Sequence, residues 1–154
     1  MEKIASFKVN HLKLNRGLYV SRKDVYNNVT VTTFDLRFTV PNKTEPIPNP
    51  ALHTIEHLFA TFLRNGEMKD KIVYFGPMGC RTGFYLILFG DLYPQDVYDM
   101  VIQACDFVLE FSGEIPGNKP EECGNYLEHD LHVAKSAIKT YKNDLINYKN
   151  FQYE

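Results

Sequence analysis

Between Asn28 and Val40 the chain reads NVTVTTFDLRFTV, and from Phe34 onward apolar and polar residues alternate. Phe34, Leu36, Phe38 and Val40 fall on one side and Asp35, Arg37 and Thr39 on the other, the period-two signature of a half-buried strand. The Thr32-Thr33 step interrupts the alternation begun by Val29 and Val31, so a bulge is expected there. After the Pro-rich connection PNKTEPIPNP, Asn49-Pro50 makes a helix start, with Asn as N-cap and Pro at the first helical position. Leu52, Ile55, Phe59, Phe62 and Leu63 recur at helical spacing, and Gly66 supplies the stop. KIVYFGPMGC and GFYLILFG are expected to be two strands joined by a turn through Pro77 and Gly79. The second is apolar on both faces, as befits a central strand. PQDVYDMVIQACDFVLEFSG places Val97, Val101, Cys105, Val108 and Leu109 on one helical stripe. GEIPGNKPEECGN is loop, and HDLHVAKSAIKTYKNDLINYKN is a final amphipathic helix capped by Asp130. The interleaving predicts an α+β fold, a mainly antiparallel sheet packed against helices in a single-domain sandwich over residues 1–154.

Composition narrows the function. A chain of 154 residues is long enough to bury a core without disulfides or metal staples. A formal net charge of −2 offers no basic field for a phosphate backbone, which argues against nucleic acid and for small-molecule substrates. MEKIASFKVNHLKL has no apolar run of the signal-peptide kind, and no stretch of about 18 apolar residues occurs, so no membrane partner and a cytoplasmic location are expected. Three cysteines, Cys80, Cys105 and Cys123, are an odd and sparse set that reads as reduced thiols.

Within LHTIEHLFA, His53 and His57 lie about 40° apart on a helical wheel, off the apolar stripe, with Glu56 between His53 and the stripe's edge. Two imidazoles at i and i+4 can each give one nitrogen to a single ion, and Glu56 is near enough to relay protons beside it. A solvated face carrying two histidines is the plainer alternative, and a third ligand decides between them. Cys123, a thiol in a Gly/Pro loop with no core role evident, is the candidate. His129 and His132 compete, although the segment around Asp130 reads as a helix start and favours capping or surface roles for both. Two histidines and a cysteine with one open position make a catalytic arrangement rather than a closed structural one. The H-x-x-E-H order also belongs to one group of metallopeptidases, so a peptidase or amidohydrolase built on this helix stays open at this point. Cys80, in the Gly-flanked turn of GPMGCRTGF with Arg81 adjacent, is either a small turn residue or a thiolate activated by a nearby cation. Cys105, on the buried stripe, is expected to be core.

Taken together, SFKVNHLKL, FDLRFTVPN, HTIEHL, PMGCRTGFY and Cys123-Gly124 followed by His129-Asp130-Leu131 resemble the S-ribosylhomocysteine lyase family (LuxS-type), in order and over nearly the whole chain. The resemblance implies a homodimer with its pocket at the subunit interface, cleaving the thioether of S-ribosyl-L-homocysteine. The products would be L-homocysteine and 4,5-dihydroxy-2,3-pentanedione, precursor of a quorum-sensing autoinducer and a branch of the methyl cycle. It further implies one divalent metal per subunit, Fe2+ with Zn2+ or Co2+ able to substitute, on His53, His57 and Cys123. Cys80 and Glu56 would be the acid/base groups, and Ser6, His11 and Arg37 the substrate contacts. Such chemistry suits these residue types: a carbonyl must migrate along the sugar until it lies β to sulfur, each shift removing a proton beside a carbonyl. No nicotinamide or pyridoxal cofactor is needed for it. Departures from the family pattern fall at Asn10, where Asp is usual, at RGLYVSR around Arg22, and at Tyr74-Phe75-Gly76, where an acidic residue and then Ser are common.

Overall fold

Phe34 and Leu36 are wholly buried while their neighbours face the opposite way, and this alternation is the axis on which the fold is built. The computed structural model describes residues 2–153. Strand β1 (Gly17–Tyr26) turns back through Asn27 and Asn28, both at positive φ, into β2 (Val29–Arg37). Helix α2 (Asn49–Asn65) follows, then a single 3-10 turn (Lys69–Lys71), β3 (Ile72–Pro77), β4 (Gly83–Phe89), α3 (Pro94–Glu110) and α4 (Leu131–Tyr148). A four-residue helical turn, α1 (Ala5–Lys8), precedes them. All pairings are antiparallel and the strand order is β1-β2-β4-β3, so the apolar strand β4 is indeed central.

Helices α2, α3 and α4 cover one face. Leu18, Phe34, Leu36, Phe84, Leu86 and Leu88 from the sheet meet Ile55, Leu58 and Phe59 of α2, Val97, Val101, Cys105 and Val108 of α3, and Ile138 and Tyr141 of α4. The Tyr141 ring stacks on Phe38 at 3.9 Å between centroids and its hydroxyl donates to Gly17 O, which joins the last helix to the first strand. Leu86 is fully buried in the central strand. Leu86→Ala is expected to lower unfolding free energy by about 2–5 kcal/mol; urea denaturation measures it, and a loss under about 1 kcal/mol would contradict this packing.

Two local expectations are corrected, and one strand was not expected. The bulge lies in β1, between Val20 and Arg22 opposite Phe34 and Thr33; Thr32 instead donates its hydroxyl to Gly90 O and accepts from Leu92 N. Asn49 is inside α2 rather than its cap, which is Pro48, with no side-chain cap bond. Strand β1 has no counterpart in the hydrophobic pattern read from sequence, because Ser21, Arg22, Lys23 and Asp24 blur its alternation. Asp130 does cap α4, its carboxylate accepting from Val133 N at 2.9 Å.

Candidate functional site

The apolar face of α2 is committed to the sheet, so His53 and His57 project from its flank toward the loop between α3 and α4. Their rings are 4.5 Å apart and nearly perpendicular. His53 Nδ1 lies 2.9 Å from Glu128 O, and His57 Nδ1 2.7 Å from Pro116 O. A carbonyl only accepts, so each Nδ1 carries the hydrogen and each Nε2 is left with a free lone pair. The loop reaches His57 because Gly117, at φ +74°, has no Cβ; one there would lie 3.1 Å from His57 Nδ1. A turn in which Cys123 N donates to Lys119 O then delivers Cys123 Sγ to 3.4 Å from His53 Nε2. Asn125 N donates to the same sulfur at 3.4 Å.

Ligand atoms of His53, His57 and Cys123 all lie within 4.8 Å of one another, a spacing that a single ion with bonds of about 2.0–2.3 Å can bridge. The donor set, two tautomer-locked imidazoles and a thiol on the protein's flank, fits a divalent transition metal. Glu56 stands beside it, its carboxylate 3.7 Å from His57 Nε2. The third partner is a thiol, not the carboxylate a peptidase of the H-x-x-E-H group uses.

His129 is neither a cap nor a surface residue. Its ring stacks on His53 at 4.3 Å between centroids. Thr54 Oγ1 donates its one hydrogen to Pro50 O and accepts from Asp130 N, so the 3.1 Å contact with His129 Nδ1 is a bond donated by the imidazole. Its Nε2 is buried without a partner, and burial, then the charges of His53 and His57, push its basicity down to about 4. Lying nearly parallel to His53, it braces that ring rather than joining the ligand set. His132 is exposed.

The second cluster sits on the opposite face of the sheet. Asp35 and Arg37 point away from the helices, yet they are only 2% and 3% exposed. Arg37 Nη2 donates to Asp35 Oδ2 at 2.5 Å and Nη1 to Thr82 Oγ1 at 2.5 Å. Thr82 Oγ1 is 3.0 Å from Cys80 Sγ; since it already accepts from Arg37, its own hydrogen is free for the sulfur. Partial burial pushes the Cys80 thiol up, but the bonds from Thr82 and the charge of Arg37 outweigh it and hold the thiol below its ordinary value. The cation near the thiol is Arg37, on β2, the strand paired with β4, whereas the Nη1 of the adjacent Arg81 turns to Ile47 O. Gly83, opposite Arg37 in the β2–β4 register, permits this approach, because a Cβ there would collide with Leu36 O at 2.3 Å. Cys105 is fully buried and burial raises its thiol far out of the reactive range.

Cys80, Thr82 and His11 line a cavity of about 270 Å³ with Pro41, Thr44 and Pro46; His53, Glu56, His57 and Cys123 are not among its walls. Ser6 lines another, of about 220 Å³, with Ser21, Arg22 and Tyr85. The departures have structural answers. Asn10 Oδ1 accepts from Leu12 N, and His11 is oriented by donating Nδ1–H to Val9 O, so residue 10 is not needed for it. Arg22 pairs with Asp24 at the surface. The exposed Tyr74 ring lies over Gly76 in the space a Cβ would claim, so a side chain at position 76 would turn that ring aside. Asp35, Thr82 and Tyr153 are the participants sequence reading missed; Asp35 had only its place on the polar side of β2, and Tyr153 gave no local signal.

A family model described as "S-Ribosylhomocysteinase (LuxS)" matches residues 4–152. The chain is 53% identical to an S-ribosylhomocysteine lyase of Finegoldia magna, over 97% of this chain and 95% of the relative. It is 53% identical to one of Borreliella burgdorferi over 99% of each, and 57% identical to one of Clostridium acetobutylicum over 87% of this chain and 85% of the relative.

Proposed function

The chain belongs to the S-ribosylhomocysteinase (LuxS) family, and from that premise we propose how its two residue clusters divide the work of an S-ribosylhomocysteine lyase. The observation that carries the proposal is the convergence of His53 Nε2, His57 Nε2 and Cys123 Sγ beside the Glu56 carboxylate. A divalent cation on those three atoms, ferrous iron in our reading with zinc or cobalt able to replace it, would supply Lewis-acid stabilisation of negative charge developing on sugar oxygens. Every proton must still be moved by the protein.

Cys80, held toward thiolate by Thr82 and Arg37, removes the proton beside the aldehyde of the opened ribose. Returning it to the neighbouring carbon, through an enediolate, moves the carbonyl one position along. Glu56 carries protons from the other side, and a second shift brings the carbonyl to the third carbon. Abstraction of the proton on the fourth carbon then breaks the bond between the fifth carbon and sulfur. The electron pair leaves with homocysteine sulfur, which takes up a proton, and the enol left across the fourth and fifth carbons tautomerises, its hydroxyl proton lost and the fifth carbon protonated, to the pentanedione. We assign substrate contact to His11, on the wall of the Cys80 cavity, to Ser6 farther along the same face, and to Arg37, which lies buried behind Thr82.

The walls of the Cys80 cavity include none of His53, Glu56, His57 and Cys123, and Asp35 and Arg37 behind Cys80 lie on the sheet face opposite the helix that carries the histidines. We therefore assign the complete site to two copies of the chain, the Cys80 face of one closing on the metal flank of the other. Exposed Ile4, Phe7, Tyr74 and Phe89 give that face the apolar surface an obligate interface needs. No helix among the described residues is long and apolar enough to cross a membrane. The three free thiols favour a reducing compartment, which we take to be the cytoplasm. The product would feed autoinducer synthesis and homocysteine recycling. Metal-replete protein given S-ribosylhomocysteine is expected to release one thiol per substrate consumed, read with a chromogenic disulfide; substrate that persists without thiol release would reject the assignment.

A further inference from the structure

The polarity of the hydrogen-bond chain behind Cys80 can be followed one residue further than the site requires. Tyr153, near the end of the chain, folds back over the outer face of the sheet and stacks on Tyr19, with ring centroids 4.7 Å apart and planes 19° from parallel. Its hydroxyl donates to Asp35 Oδ2 at 3.0 Å, the same oxygen that takes Arg37 Nη2. Tyr153 and Arg37 thus both donate to Asp35, Arg37 donates to Thr82, and Thr82 Oγ1 meets Cys80 Sγ, to which it donates when the sulfur is thiolate. Asp35 Oδ1 and Arg37 Nε are buried without partners, so the ion pair depends on the few bonds it has.

We propose that Tyr153 is a positioning residue for the proton carrier Cys80, acting through Asp35 and Arg37. The inference rests on the reading of Cys80 as a working thiolate. Tyr153 shares the negative charge of Asp35 Oδ2, so less of that charge is turned on Arg37, and the guanidinium keeps more of its field for the sulfur. The phenol also covers a fork that would otherwise be loosened by water. Other ionisable groups facing this chain are Tyr85 from β4 and His11 from the N-terminal segment; their interactions with Cys80 and Asp35 respectively are electrostatic. Arg81 is turned away. Burial, then the Asp35 charge, raises the phenol's own ionisation well beyond neutral pH, so it stays a donor throughout the working range.

Tyr153→Phe keeps the ring and removes the hydroxyl, with its bond to Asp35 and its bond with Ser21. The pH profile of Cys80 alkylation by iodoacetamide, read at the Cys80 peptide by mass spectrometry in metal-loaded protein, is expected to move up by about half a pH unit. That is a roughly threefold slower reaction at neutral pH. Ending the chain after Gln152 should move it further the same way, while metal content stays unchanged. An unmoved profile in both variants, or a downward shift, overturns the proposal. If the alkylation profile moves but the pH dependence of kcat/KM does not, Tyr153 does position Cys80, and the role of Cys80 in turnover is what fails.

Discussion

Cys123→Ala should strip the protein of its divalent metal and its lyase activity together. The thiolate is the one anionic ligand of the proposed three, and its removal leaves two neutral imidazoles at i and i+4. Two such nitrogens still bind a transition ion, but without the charge that opposes its dehydration. Loss of an outer-shell partner alone costs about 10–100-fold in metal affinity, so loss of a ligand should exceed the top of that range. His129 cannot substitute, because it lies stacked on His53 and is tied to Thr54. Metal per chain after anaerobic purification and dialysis, measured by inductively coupled plasma mass spectrometry, should fall to a small fraction of wild type. The same metal content in Cys123→Ala as in wild type would remove the thiol from the set.

The second large effect is expected for Cys80→Ala, with the opposite metal signature. The substitution removes a proton carrier and touches none of the His53, His57 and Cys123 contacts, so metal should stay bound while kcat falls by about 10²–10⁴-fold. Turnover of S-ribosylhomocysteine at near wild-type rate would sink the assignment of Cys80 to proton transfer. The two inactive proteins can also test the shared site. Mixed and reassociated, Cys80→Ala and Cys123→Ala chains should, on the proposed two-copy site, form hybrid dimers in which one site takes its metal set from the first and its thiol from the second. About a quarter of wild-type activity should return, from the binomial share of hybrids. A mixture as inactive as its components would mean that each site is built within one chain.

Much of this was legible in one dimension where the signal is local. The histidines on α2 announce themselves because helical geometry converts four residues of separation into one flank. Phe34, Leu36 and Phe38 mark their strand because side chains alternate across a sheet. Cys105 reads as core from its place on a helical stripe, and it is core. Asn49 misled as a cap because Pro48 and Pro50 restrict the backbone on both sides of it. His129 read as a cap or surface residue because nothing near it in sequence says that it will lie against a ring on another helix.

By itself, then, the order of residues determined the type and the buried side of the elements from β2 onward, though not β1 or the short α1, and the residue kinds from which a metal set and a thiol could be drawn. Only the tertiary structure decided which of those residues meet. It set the Cys123 sulfur beside the ring nitrogen of His53 and stacked His129 on that ring, put Arg37 rather than Arg81 behind Cys80, and tied Tyr153 to Asp35 across 118 positions. The reason is range: backbone geometry relates residues a few places apart, whereas a hydrogen bond between a strand and a chain end exists only after the core has packed and brought both to the same face.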